Sequence, residues 1–258
     1  MRKARILFSG NLKLDDIQIV HEPSNRKIDP DLEAKIEEIW KERFAKAKAE
    51  GKLVWDSELY RLNDYKYENG KLTLSLGTMS FGTSNTYKQT DFIDNYSEDY
   101  YPKTIYITTF IETADRMYVF GKPSGKTMVI GDYDIVGGGL NKSEKEINNG
   151  HDMFEVLGKE LVEEMNIGKS DIDNQTFLGL ILSDTGSVAV CLYTKLSVSS
   201  KELIAKFQKR QAKNEFTDLK FISEYELSEF VIRLGRVKPL MYQELLKNGL
   251  ADPNDRPS

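Results

Sequence analysis

One cysteine and two histidines are all the thiol and imidazole chemistry that this chain of 258 residues offers. A single thiol forbids a structural disulfide within the chain. Cys191 lies in the apolar run "SVAVCLY", the setting of a buried strand residue rather than a reactive nucleophile. The imidazoles, His21 and His151, are too few for a histidine-built metal centre, so a divalent metal would fall to oxygen ligands. Net positive charge is missing too: 36 basic against 41 acidic side chains leave a formal charge of −5, with the basic residues scattered singly among acidic ones. That argues against nucleic acid as a partner and leaves any anionic ligand to a local site or a bound cation. The opening "MRKARILFSGNLKLDD" holds an apolar run of only three, too short for a secretory signal or a membrane helix. A cytoplasmic protein without membrane contact is expected.

What is present is enough apolar material for a sizeable core, 40% of residues, in a chain longer than one ordinary domain. Residues 4 to 9 and 15 to 21 read as strands. A helix follows, entered through Asp29-Pro30 and closed by Gly51, with Leu32, Ile36, Ile39, Trp40 and Phe44 at helical spacing. "DYKYENGKLTLSLGTMSF" alternates about Asn69-Gly70, a hairpin signal. Residues 78 to 101 are polar and aperiodic and read as a long loop. From Lys103 the runs "KTIYITTFIET", "RMYVFGK", "TMVIGD" and "DIVGGG" read as short strands, followed by a helix at about 152 to 166. "TFLGLIL" and "SVAVCLYTKL" flank the turn "SDTGS"; "SKELIAKFQKRQAK", "YELSEFVIRL" and "PLMYQELLKNG" read as helices, with a strand at "LKFIS". No repeat or linker interrupts the pattern. The expected organisation is α+β: an N-terminal α+β subdomain over 1–101, then a mixed sheet with helices on its faces over 102–258.

The helix containing "GKELVEEMNI" carries the sharpest signal. Phe154, Leu157, Leu161 and Met165 fall within a stripe of about 80°, and Glu160, Glu163 and Glu164 occupy an arc of about 100° beside it. Three carboxylates converging at the edge of a core repel one another, and partial desolvation raises the pKa of at least one. A hard divalent cation turns that repulsion into attraction. Glutamates on a solvated helix face are the plain alternative. Gly137-Gly138-Gly139, ending the preceding strand, would let backbone approach a ligand closely, or simply form a tight bend.

These residues resemble the Nudix hydrolases, whose signature runs G-x5-E-x7-R-E-U-x-E-E-x-G-U with U apolar. Lys159 stands at the arginine position, Glu160, Leu161, Glu163 and Glu164 match, Asn166 replaces the late glycine and Ile167 is the final apolar residue. Counting back from Lys159 puts the first glycine on Lys145 and the first glutamate on His151, so "GLNKSEKEINNGHD" holds an insertion of about seven residues. A helix with Trp40 and Arg43, the strand "YRL" and the segment "LGTMSF" ahead of this lengthened box are similar to the branch that hydrolyses UDP-glucose and UDP-galactose.

The resemblance implies a Nudix-like α/β/α sandwich and a pyrophosphohydrolase that yields UMP and a sugar 1-phosphate. It implies Mg²⁺, or Mn²⁺, held by Glu160, Glu163 and Glu164, with a carbonyl of Gly137 or Gly138 as a further ligand. One glutamate would orient or deprotonate the water, and His151 or Glu144 stay open as bases. Lys159 is expected to pair with a box glutamate. Arg61 is divided between joining the subdomains and reaching the substrate. Lys122 or Lys126 are candidate phosphate contacts; "GTSNTYKQT", with Asn85, and Asp184 are candidate contacts to sugar or uracil. The partner implied is a small nucleotide sugar, and a homodimer stays open. Rival readings are the same chemistry on ADP-ribose or another nucleoside diphosphate derivative, and a nucleotide-binding module without turnover.

Overall fold

The computed structural model describes residues 3–51, 56–88, 90–124, 133–210 and 215–251. Among these, seven strands form one sheet. Its order is β1 (Arg5–Leu12), β8 (Ile172–Leu182), β9 (Val188–Leu196), β5 (Ile105–Glu112), β6 (Met117–Pro123) and β10 (Phe216–Ser223). β7 (Gly137–Gly139) pairs with β5 off that path. Only β5 and β9 run parallel; the other pairs are antiparallel, so the sheet is mixed. A second sheet of three strands sets β4 (Lys71–Ser80) between β2 (Ile17–His21) and β3 (Glu58–Glu68). β1 comes from the first hundred residues yet belongs to the large sheet.

Alternation along β9 shows how the layers are arranged. Val188, Val190 and Leu192 enter a core shared with Leu157, Leu161 and Met165 of helix α4 (Gly150–Met165) and with Leu72, Leu74 and Leu76 of the small sheet. Ala189, Cys191 and Tyr193 enter the opposite core, closed by α6 (Glu224–Leu234) and α7 (Lys238–Lys247). Both faces are covered, which explains why β9 reads as a continuous apolar run. Cys191 is buried and unpaired by any disulfide, and burial pushes its thiol pKa upward. No helix among the described residues is long and apolar enough to cross a membrane.

Helix α1 (Pro30–Ala49) starts where the sequence predicts: Asp29 Oδ1 accepts from the N–H groups of Asp31 and Leu32, and Pro30 occupies the first turn. The Asn69-Gly70 turn has positive φ at both residues, 52° and 78°, as a two-residue hairpin of type I′ requires. The expected loop over 78 to 101 is corrected. β4 continues to Ser80, followed by α2 (Phe81–Lys88), α3 (Phe92–Asn95) and a 3₁₀ turn at Glu98–Tyr100. Packing, not propensity, makes α2 helical. Ser80 Oγ accepts from Thr83 N–H at 3.1 Å, and Asp56 Oδ1 from Gly82 N–H at 2.9 Å. Trp40 lies against Gly82, so closely that a β-carbon there would meet the indole at 2.4 Å. The expected strand "TMVIGD" and the end of "SKELIAKFQKRQAK" lie outside the described residues; the described helix there is α5 (Ser200–Gln208).

Arg61 on β3 is tied to the segment that leads into β5. Only 2% exposed, its guanidinium donates from Nε to Pro102 O at 3.2 Å and from Nη1 to Asn25 Oδ1 and Asn63 Oδ1, both at 2.6 Å. Burial, helped by the charge of Arg26, lowers its pKa to about 10. Arg61→Met should lower the unfolding free energy by about 2 kcal/mol or more, because three acceptors lose their donor. Urea denaturation measures this, and an unchanged midpoint would show that this tie carries no stability.

Candidate active site

α4 is fixed at both ends by side chains that suit its caps. Asn149 Oδ1 accepts from Asp152 N–H at 3.1 Å. At the other end Asn166 takes the left-handed conformation, φ 59° and ψ 35°, as the late glycine of the signature would. Between the caps, Phe154, Leu157, Leu161 and Met165 are buried as the stripe predicts, and the three glutamates divide.

Glu164 is 3% exposed, and its Oε2 is sealed from solvent with no hydrogen-bond donor facing it. The polar group that reaches this carboxyl is another acid, Glu215. Burial first, then a hydrogen bond donated to Glu215, then the charges of Glu215, Glu160 and Asp134 push Glu164 up to about 11. Glu160 is half-buried and rests on β7: a β-carbon on Gly138 would fall 2.2 Å from its Oε1, so only glycine allows this approach. Burial, then Glu215 and Glu163, push Glu160 up to about 7. Glu163 faces outward, its side chain 51% exposed and 3.9 Å from Lys159 Nζ.

Gly137–Gly139, Glu164 and Glu215 line a cavity of about 270 Å³, together with Tyr106, Thr108 and Asp134. The cavity exists because β5 changes partners along one edge. Residues 106–108 pair with β7 and residues 111–112 with β6. Pro123 at the end of β6 and Phe216 at the start of β10 line the cavity as well. Glu215 was not predicted, since no spacing relates it to α4. It reaches the site through the pairing of Phe216 with Pro123.

The donor set suits a hard divalent ion: carboxylate oxygens, one of them orphaned inside the protein, beside a strand of bare glycine backbone. As they stand, no three acidic, histidine or cysteine side chains among the described residues are gathered closely enough to clamp an ion. Like charges held at this spacing repel one another, and a bound cation would draw them together.

The remaining sequence candidates lie elsewhere. Arg61 does not line the cavity; its guanidinium is buried and bonded to Pro102, Asn25 and Asn63. Lys122 is exposed on β6, and neither it nor Asn85 on α2 lines the cavity. Lys126 lies outside the described residues. Asp184 is not among the lining residues either; its charge is one of several that act on the buried Tyr106 hydroxyl, whose pKa is raised chiefly by burial. His151 Nε2 is 2.8 Å from Asp15 Oδ1 on the exposed side of α4. Lys159 pairs more closely with Glu144, at 3.2 Å, than with Glu163.

No family model and no curated protein matches the chain. Among solved structures it is similar to Tm1382, described provisionally as a Nudix hydrolase, with 14% identity, 74% of this chain and 98% of that one covered, and a TM-score of 0.43. The MutT protein from Methanosarcina mazei Go1 gives 13% identity over 56% and 94% of the two chains, with a TM-score of 0.35. DR0079 from Deinococcus radiodurans gives 11% identity over 54% and 81%, with a TM-score of 0.39. Likenesses of this size assign the chain no activity.

The raised carboxyls make stability depend on pH and metal. Folded Glu160 and Glu164 hold protons above their ordinary value of 4.5, where the unfolded chain releases them. Without metal, the stability contributed by these two carboxyls is therefore fully present below that value and is lost as pH rises, through about 7 for Glu160 and about 11 for Glu164. A calorimetric series should show this loss, with Mg²⁺ or Mn²⁺ raising the melting temperature more at alkaline than at acid pH. Glu164→Gln should melt several degrees higher than wild type in chelator at alkaline pH and respond less to metal; a lower melting temperature would contradict the buried repulsion.

Proposed function

We propose that this chain is a divalent-metal-dependent Nudix pyrophosphohydrolase that cleaves UDP-glucose or UDP-galactose to UMP and a sugar 1-phosphate. The observation that carries the reading is Glu164: a carboxylate sealed into a cavity wall, without a donor, beside Glu215 and the glycine strand on which Glu160 rests. Burying such a group costs stability unless a cation compensates it. Glu160 and Glu164, with Glu163 at the rim, would hold Mg²⁺ or Mn²⁺ together with a carbonyl of Gly138. When bound, the metal would neutralise charge on the phosphoryl oxygens and acidify water.

The chain's own residues supply the rest. Glu215 is open to solvent and lines the cavity, so it is placed to accept the proton of the attacking water as a phosphorus–oxygen bond forms and the bridging phosphoanhydride bond breaks. Glu160 and Glu164 orient that centre, and Gly138 keeps backbone close to it. Asp184 would contact the sugar or uracil.

The UDP-sugar branch is supported by the way its three upstream motifs meet. The Trp40 ring packs edge-on to Phe81 of "LGTMSF" at 5.8 Å, and Arg61 of "YRL" pairs with Gly77 of the same segment. One packed unit thus gives the motifs a physical reason to occur together. The absence of a ready-made three-ligand clamp among the described residues favours a second reading, a nucleotide-binding module without turnover.

Hydrolysis distinguishes them. With Mg²⁺ and a panel of UDP-glucose, UDP-galactose, ADP-ribose, GDP-mannose and diadenosine polyphosphates, chromatography should show UMP from a UDP-sugar. Glu160→Gln and Glu164→Gln should each lower kcat by about a hundredfold or more, and Gly138→Ala should do so by displacing Glu160. Turnover of another member alone would retain the chemistry and overturn the substrate; binding without turnover of any member would establish the module.

A further inference from the structure

The cavity has a carboxylate that the glutamate cluster does not use. Asp134 lines it, held by three separate restraints. Its backbone N–H and C=O pair with Gly121, both at 2.8 Å. Its Oδ1 accepts from Ile135 N–H at 2.8 Å and from Lys238 Nζ at 2.7 Å. Lys238 is only 4% exposed, so this ion pair is desolvated and costly to maintain. Oδ2 is treated differently. Arg236 Nη1 lies 4.0 Å away, outside hydrogen-bond reach, and no donor among the described residues bonds to Oδ2. One lobe of the carboxylate is clamped and the other is left for something else.

The surroundings limit what that can be. An ionised carboxylate only accepts hydrogen bonds, so a phosphate oxygen, also an acceptor and also negative, is rejected. A cation is disfavoured by Lys238 and Arg236, which already face Asp134 from the connection between α6 and α7. A neutral donor satisfies both limits, and in a ligand whose phosphates lie by the glutamates the neutral donors nearest the diphosphate are sugar hydroxyls.

We propose that Asp134, fixed by Lys238, is a specificity residue that accepts a hydrogen bond from a hydroxyl of the sugar adjoining the diphosphate. The same chemistry is offered by the ribose on one side of the diphosphate and by the hexose on the other. This deepens the nucleotide-sugar reading and rests on it for the placement of the phosphates.

The test is calorimetric binding, with Ca²⁺ replacing Mg²⁺, of UDP-glucose and of analogues that each lack one hydroxyl on the ribose or on the glucose. Wild type should bind one analogue about tenfold or more weaker than the parent. Asp134→Asn should bind parent and that analogue alike, and the ring that carries the missing hydroxyl names the source. Asp134→Asn with Lys238→Met, which leaves no lone buried lysine, should behave as Asp134→Asn does, with thermal melts confirming that both fold. Wild-type binding of all analogues alike, binding of none, or discrimination that persists in both variants would overturn the proposal. Failure of the hydrolase reading is seen separately, as lack of UMP in the Mg²⁺ panel; failure here would leave UMP production intact.

Discussion

The rest of the site depends on one unfavourable placement: a glutamate carboxyl on the apolar side of a helix, with a second acid as its neighbour. Glu164 follows from Leu161 and Met165, which hold that side of α4 in the core, so its position cannot relax without unpacking the helix. Everything close to it accommodates the resulting field. Glycine at position 138 leaves room for Glu160, and glycine at 137 lets β7 lie against Ile107 and Thr108 of β5. The asparagine at the helix end takes a left-handed turn that stops α4 one residue after its buried stripe is complete.

The two acids deepest in the cavity wall are handled in opposite ways. Asp134 is neutralised by a buried lysine, which fixes its direction and its charge. Glu164 is given no cation of its own among the described residues, which leaves it dependent on protons or metal. A site that compensated both would be more stable and would have nothing left with which to attract a ligand. Retained instability in one wall and imposed rigidity in the other divide the cavity into a reactive side and a recognising side.

Much of this was legible in the sequence because it is local. The stripe on α4, the glutamates beside it, the left-handed asparagine and the Asn69-Gly70 hairpin all follow from spacing within a few residues. What was not legible depends on distant contacts. α2 is helical because Trp40 and Asp56 hold it, while its own residues Gly82, Thr83, Ser84 and Asn85 are poor helix formers. Glu215 joins the cavity through a strand pairing that no periodicity announces. Arg61 looked equally suited to two roles because an arginine among apolar residues must be paired in either case, and its partners Asn25 and Pro102 are too distant in sequence for spacing to reveal.

The pairing of β1 with β8 has a consequence for how the chain is made. Phe8 stands opposite Leu180, and Arg5 opposite Leu182, so β1 has no partner until β8 is synthesised, after β5, β6 and β7. Until then Ile6, Leu7 and Phe8 lack that partner, and once paired β1 takes over from β8 as the edge of the sheet. Loop-closure entropy makes such a contact late and slow. Until β8 exists, the apolar residues of β1 therefore have no place in the sheet and are open to other chains.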